Sequence, residues 1–473
     1  MDKLLKLNDI FSNLSGYAKK HKLKIRNVKN GLTLEDVMLY KMMIIEKNKT
    51  KQGVTNNINY ENIKESKKKK HRTLFYKKEK HLSLPFFQNI CDDVFKLCID
   101  VCSIDFNNLV PIYTDGTVTH SKINNKSGEL ELSTNMGYTI GSQNIPLDLT
   151  YNGPKRNSEI ANLMSYIKEH KLKNVFFVCD RAYFSYKLFK FIEDEDLSFI
   201  IRIKRDSLIS KKDQAKIDKS SNSKLIKEIS LVSRIVTYET NGYKIVSTTK
   251  GTRKIKIKST IELITNLIEK DVDGNYIFTD ADILAQYKMR WNVEIFFKFV
   301  KKCFKFEAQN ESSCDENEKN NKCILILTYI CNMISFLYTK EHNIQKEIIG
   351  DKRKKTKTKN CVTRVQSINQ SQLIDGIFSK LLPYLVKGEL TIEILNNFVS
   401  NYVIIVVNED GRSFERVCIS PFKKWYIKQY AIRYQWSKII DAIENDTISK
   451  LNKNLKLIAN NVLKIIKLNA KND

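Results

Sequence analysis

Proline and glycine are scarce in this 473-residue chain, at six and 15 residues, which excludes a collagen-like or Pro/Gly-rich disordered polypeptide. The ten cysteines (Cys91, Cys98, Cys102, Cys179, Cys303, Cys314, Cys323, Cys331, Cys361 and Cys418) contain no Cys-x-x-Cys pair. A zinc ribbon therefore lacks its ligands, and most of these thiols sit among apolar residues at helical spacing, as reduced core cysteines do. The longest apolar run, Cys323 to Leu337, is about 15 residues and is interrupted by Asn332, against the roughly 20 that a membrane span needs. Lys, Asn or Asp breaks every apolar pair between Met1 and Lys24, so no signal peptide is expected and the chain reads as soluble, intracellular and without a membrane partner.

Acidic residues are also in deficit. Lys and Arg number 81 against 53 Asp and Glu, a net charge of +28, which makes a polyanion the natural partner. With 42% hydrophobic and 10% aromatic residues, most of the chain is expected to fold. Thr33 and Asp36 form a capping-box pattern ahead of Leu34, Val37, Met38, Met42 and Ile45, and a second helix opens at Ser83 and Pro85 to bury Phe86, Phe87, Ile90, Val94 and Phe95. Between them lies a polar stretch rich in Asn and Lys that runs into Lys67–Lys70, His71 and Arg72, a lysine run whose plain reading is a solvated loop and whose functional reading is a phosphate-contacting segment beside a helix-turn-helix-like unit. Residues 1–104 are thus expected to be a helical, basic, DNA-binding domain.

From 105 the periodicity turns to strands: Leu109–Thr114, then Gly128–Leu132, Met136–Ile140, Val175–Cys179 and Phe199–Ile203, with helices around Ile160–Ile167 and Tyr186–Ile192. The fold class expected is α/β, with a first part over 105–205. A lysine-rich link and a β-rich insertion follow over 206–279, with a hairpin turning at Asn241-Gly242 and two further runs, Arg253–Ser259 and Ile261–Asn266. One long helix is expected from Thr279 or Asp280, as its N-cap, to about Lys302, opening a second α/β part over 280–345. Residues 346–473 form a basic linker, Lys352–Lys359, and a mostly helical region for DNA contact or dimerisation with a basic aromatic patch at Phe422–Arg433.

Chemistry concentrates on that long helix. At about 100° per residue, Tyr287, Arg290, Glu294 and Lys301 fall within an arc of about 60°, a polar stripe on an otherwise apolar helix. Phosphoryl transfer accounts for it, because divalent ions need converging carboxylates and the phosphates need cations. Asp115 and Asp180, each read as lying just past a core strand, are the companions of Glu294. Oxygen donors without His or Cys favour Mg²⁺ or Mn²⁺.

These residues resemble the DDE transposases of bacterial insertion sequences, specifically the insertion-sequence-four family. Its signature Tyr-x2-Arg-x3-Glu-x6-Lys is matched by Tyr287, Arg290, Glu294 and Lys301. Its second-aspartate motif resembles Val178-Cys179-Asp180-Arg181-Ala182-Tyr183-Phe184-Ser185, with Ala182 where the family usually has Gly, and the first resembles Tyr113-Thr114-Asp115-Gly116-Thr117. The spacings of 65 residues (180 − 115) and 114 residues (294 − 180) agree as well. The resemblance implies a ribonuclease-H-like catalytic domain interrupted by a β-rich insertion, with Asp115, Asp180 and Glu294 holding two Mg²⁺ or Mn²⁺ ions. It also implies that Tyr287, Arg290 and Lys301 grip phosphates at the transposon end, with Arg181 a further DNA contact, and that a homodimer pairs two double-stranded ends. The location implied is DNA-associated, in cytoplasm or nucleoid, or in the nucleus of a eukaryotic host.

Taken singly, each residue has a plainer reading. Asp115-Gly116 is a common turn pair, Arg290 and Glu294 form an ordinary i,i+4 pair, and Trp291 and Trp425 are more readily packing than base-stacking residues. The rival functions are a ribonuclease-H-like nuclease without strand transfer and an inactive relative that only binds DNA.

Overall fold

The computed structural model describes residues 1–23, 32–47, 49–64, 71–105, 108–121, 131–141, 145–154, 158–204, 207–211, 214–248, 251–309, 313–342, 346–349 and 362–409. Two units emerge: Met1–Tyr238 with Ile261–Arg412, and Glu239–Thr260 with Ser413–Asp473. The described part of the second unit consists of strand segments on either side of residues 249–250. The expected linker at Lys352–Lys359 and patch at Phe422–Arg433 lie outside the described residues, as do Lys67–Lys70.

The first unit opens with helices α1 (Lys6–Ser12), α2 (Leu14–Lys20), α3 (Leu34–Ile44), α4 (Lys51–Lys64), α5 (Arg72–Glu79) and α6 (Leu84–Cys102). The capping box ahead of α3 is formed, with Thr33 Oγ1 accepting from the Asp36 N–H at 3.1 Å and Asp36 Oδ2 from the Thr33 N–H at 3.2 Å. Helix α6 starts after Ser83 with Pro85 in its first turn and buries Phe86, Phe87, Ile90 and Val94. The polar stretch, to which the sequence assigned no helix, contains α4 and α5. A few anchors suffice to hold them: Val54 and Ile58 are buried at i,i+4, and Phe75 stacks on Tyr40 of α3 at 5.1 Å.

The main sheet runs β3 (Ile145–Pro154), β2 (Glu131–Ile140), β1 (Val110–Ser121), β4 (Val175–Cys179), β5 (Ser198–Arg202), β7 (Gly251–Thr265), β6 (Arg234–Thr248), with the two-residue β8 (Ala308–Gln309) beside β1. Strands β1, β2 and β3 are antiparallel, β4 and β5 run parallel to β1, and β7 is antiparallel to β5. Three readings are corrected here. Strand β1 does not end at Thr114, because its ladder with β2 continues to Ser121↔Glu131, so Asp115 lies within the strand rather than past it. Backbone pairing with a neighbour, not the apolar run, decides where a strand stops. Strand β6 passes straight through Asn241-Gly242, and β7 is one strand rather than two runs, because each has a 15-residue partner to pair with. Strand β3 was not anticipated; Pro154 closes it on the sheet edge, where a missing N–H is tolerated.

Helices α7 (Glu159–His170) and α8 (Tyr186–Asp194) fall where expected, but the lysine-rich link contains α9 (Leu208–Lys211), α10 (Gln214–Asp218) and α11 (Ser223–Leu231). Ile226 and Ile229, three residues apart and buried, give α11 the apolar face that its lysines obscure in the sequence. Thr279 does cap a helix, with a second capping box, yet the expected single helix is two: α12 (Asp280–Met289) and α13 (Trp291–Cys303), broken at Arg290. Helix α14 (Cys314–Glu341) begins nine residues before the apolar run (323 − 314) and is capped by Ser313. Its polar first half is buried through partners: Lys322 donates to Asp148 at 2.8 Å, Glu318 accepts from the Tyr151 N–H at 2.6 Å, and Glu316 receives Lys41 and Lys319. Among the described residues α14 is the helix long and apolar enough to cross a membrane, and 67% of that window is buried within the fold. A three-stranded sheet, β9 (Lys346–Ile349), β10 (Val362–Ile368) and β11 (Ile405–Glu409), and helices α15 (Gln370–Gly376), α16 (Leu382–Lys387) and α17 (Ile392–Tyr402) complete the described unit.

Candidate functional site

Strand β1 pairs with β4 in a register that matches Tyr113 with Val178, an offset of 65 residues (178 − 113). Asp115 and Asp180 are separated by the same 65 residues (180 − 115), and β4 ends at Cys179. The spacing in the sequence is therefore the register of the sheet: it sets Asp180 beside Asp115 at the point where β4 stops and β1 continues. Asp180 also caps the short turn Arg181–Tyr183, its Oδ1 accepting from the Ala182 N–H at 2.6 Å. The turn-cap role is thus real for this aspartate, and its carboxylate is held in place by it.

Helix α13 supplies Glu294 by an unusually close approach. Gly137 of β2 stands opposite Asp115, and a Cβ on Gly137 would lie 2.6 Å from Phe297 Cζ. Opposed residues share a face, so the absent side chain lets the Phe297 ring, three residues after Glu294, rest on the strand beside Asp115. Tyr113 adds a second tie, its hydroxyl donating to Gln286 Oε1 of α12 at 2.7 Å. Gly116 serves the other face, where a Cβ would meet Glu159 of α7 at 2.5 Å. Gly137→Ala is expected to destabilise the protein by about 1–3 kcal/mol through overpacking, with Phe297→Leu recovering part of the loss in thermal melts.

Arg290 joins the elements. Its Nη2 donates to Glu294 Oε1 at 2.7 Å and its Nη1 to Asp115 Oδ2 at 3.3 Å, while Asp115 Oδ1 accepts from the Gly116 N–H at 2.9 Å. The guanidinium side chain is 13% exposed. Tyr287 sits within reach of Arg202, Arg290 and Asp180, and burial raises its phenol. Lys301, by contrast, pairs with Glu307 at 3.7 Å, and Arg181 is exposed on its turn. The structure therefore brings Asp115, Asp180, Tyr287, Arg290 and Glu294 together and turns Lys301 to a different partner. Trp291 is exposed with Lys298 over its ring at 4.9 Å, and Trp425 lies outside the described residues. Arg202, Gln286, Gly137 and Phe297 escaped sequence reasoning, since each acts through a tertiary contact without a motif of its own.

Burial pushes the Asp115 carboxyl up to about 7, with Asp180 and Glu159 adding to the rise and Arg290 and the Gly116 N–H opposing it. A carboxyl raised in the folded state binds its proton more tightly there than in the unfolded chain, so it favours folding at low pH and that contribution is lost as pH rises. The stability of wild type relative to Asp115→Asn is expected to fall between the usual carboxylate range near 4 and about 7, and to be level above it, in urea titrations.

The donors are oxygens alone, the kind that hard divalent cations take, and Asp115, Asp180 and Glu294 are the residues that could hold one. Among the described residues no three His, Cys, Asp or Glu side chains converge to hold a metal as they stand, and the cation among these carboxylates is Arg290.

Comparison with known proteins follows the same residues. Residues 140–330 match the family model described as "Transposase DDE domain", a span that includes Asp180, Tyr287, Arg290, Glu294 and Lys301 and begins after Asp115. No curated protein matches the chain. The solved structure described as "Cryo-EM structure of piggyBac transposase synaptic complex with hairpin DNA (SNHP)" is similar over 85% of this chain and 84% of that one, at 11% identity and a TM-score of 0.37. The family-model match supports a DDE transposase.

Proposed function

We propose that this protein is a DNA transposase that cleaves at transposon ends and transfers the freed strand into target DNA. The observation that carries the reading is the meeting of Asp115 and Glu294 at Arg290, with Asp180 beside Asp115 at the end of the neighbouring strand, in an order and spacing like those of the insertion-sequence-four family. Three antiparallel strands followed by two parallel ones support a ribonuclease-H-like catalytic domain, with 105–205 and 280–345 as its parts and the β-rich stretch 206–279 between them. Residues 1–104 would recognise the ends, and 346–473 would contact DNA or a second copy in a synaptic homodimer.

Asp115, Asp180 and Glu294 would hold two Mg²⁺ or Mn²⁺ ions, which when bound supply charge to the transferred phosphate and acidify a water or 3′-hydroxyl. Arg290 presents a planar fork suited to a phosphate, Tyr287 presents a hydroxyl beside it, and Lys301 and Arg181 extend the cationic surface along the strand. The +28 charge predicts binding that weakens steeply with salt, one counterion being released for each phosphate neutralised. Such a protein acts inside the cell, on DNA.

The reading is tested with purified protein, Mg²⁺ and a supercoiled plasmid that carries the gene with its native flanks, the DNA ends being mapped. Paired cuts at inverted repeats are expected. Scattered nicks would favour a nuclease without strand transfer, and salt-sensitive binding with no cuts would favour a relative that only binds DNA.

A further inference from the structure

The guanidinium of Arg290 spans two carboxylates from different elements, Asp115 on β1 and Glu294 on α13, and uses one oxygen of each. Both carboxylates proposed to hold a divalent cation are thus already engaged by this guanidinium. A guanidinium and a divalent ion cannot share that space, since both are cationic and the surroundings are half-buried. Arg290 also stands at the break between α12 and α13, three residues after Tyr287, which it faces.

We infer that Arg290 is the internal counter-ion of this site: it holds Asp115 and Glu294 together until they exchange it for a divalent cation, and the released fork then takes a DNA phosphate. This rests on the proposed function for the identity of the two ligands. The consequence is linkage. The two carboxylates bind a cation more tightly when a phosphate has drawn Arg290 away, and the protein binds DNA more tightly when a cation has displaced it, by the same factor. Asp115, Glu294 and Tyr287 are the groups facing the guanidinium, and Asp180 lies beyond Asp115.

The test measures Mn²⁺ binding to the full chain by the electron paramagnetic resonance of the free ion, and duplex binding to DNA from the gene's own flanks with and without Mn²⁺. Arg290→Gln is expected to bind Mn²⁺ on the order of tenfold tighter than wild type in the absence of DNA. In that variant Mn²⁺ no longer tightens duplex binding as it does in wild type. Arg290→Lys keeps the charge but cannot span both carboxylates, so its Mn²⁺ affinity falls between the two. If Arg290→Gln loses a cooperative melt, Arg290→Lys decides the question in the same way. Mn²⁺ affinity at or below that of wild type in a folded variant overturns the inference. Asp115→Asn and Glu294→Gln separate the two levels: if they lose Mn²⁺ while the Arg290 variants gain nothing, the counter-ion role alone fails, and if they bind Mn²⁺ like wild type, the functional reading fails and takes this one with it.

Discussion

Glu294→Gln is expected to abolish the paired cutting proposed at transposon ends while duplex binding persists. The substitution keeps the size and hydrogen-bonding reach of the side chain but removes its charge, and with it one of three carboxylates proposed to hold divalent cations. Losing several kcal/mol of charge stabilisation at a transferred phosphate corresponds to a rate loss on the order of 10³-fold or more. Binding survives because the remaining cationic surface is untouched, and because Arg290 loses one ion pair and keeps Asp115. Mapping DNA ends from the plasmid assay, with gel-shift binding in parallel, checks both halves. Cutting at the wild-type rate would remove Glu294 from the catalytic assignment.

Lys41→Met has the largest expected effect on stability. Lys41 is completely buried on α3, 2.8 Å from Glu79 of α5 and 3.1 Å from Glu316 of α14, and Glu79 is only 4% exposed. Removing the ammonium strands two carboxylates in a poorly solvated place, a change worth about 3–5 kcal/mol, whereas an apolar replacement of the whole cluster would be far milder. Adding Glu79→Gln to Lys41→Met should therefore recover part of the loss in urea titrations. The pH dependence also weakens. In wild type, burial pulls the Glu316 carboxyl upward but Lys41 and Lys319 outweigh it and leave it lowered, so its contribution is present above the usual carboxylate range and lost as pH falls through its depressed value. Without Lys41 the burial that pulls the Glu316 carboxyl upward is opposed mainly by Lys319, so the variant is expected to lose less stability than wild type as pH falls.

Much of the local structure was legible before folding. The capping boxes at Thr33 and Thr279, the opening of α6 at Ser83 and Pro85, and the apolar strands β4 and β5 depend on neighbours within a few residues, and short-range chemistry decides them. Helices α4, α5 and α11 were hidden because their few anchors, Val54, Ile58, Phe75, Ile226 and Ile229, are scattered among lysines and asparagines and count only once a partner surface covers them. The polar half of α14 is the extreme case. Asn317 and Lys322 are of types that usually stay in water, yet they are buried, and the groups that receive Lys322 and Lys41 come from β3, α5 and the helix itself.

The sequence by itself determined the identity and order of the carboxylates, the basic charge and the 65-residue interval that becomes a strand register, because these are counts along a chain. Only the tertiary structure decided that Asp115 lies inside β1, that Gly137 admits Phe297 and so brings Glu294 to the sheet, and that Arg290 breaks its helix to bridge both acids while Lys301 turns to Glu307. Those outcomes depend on which backbone a strand finds beside it and which side chain fills a missing Cβ, and two of the deciding contacts, Gly137 with Phe297 and Arg290 with Asp115, join residues more than a hundred positions apart.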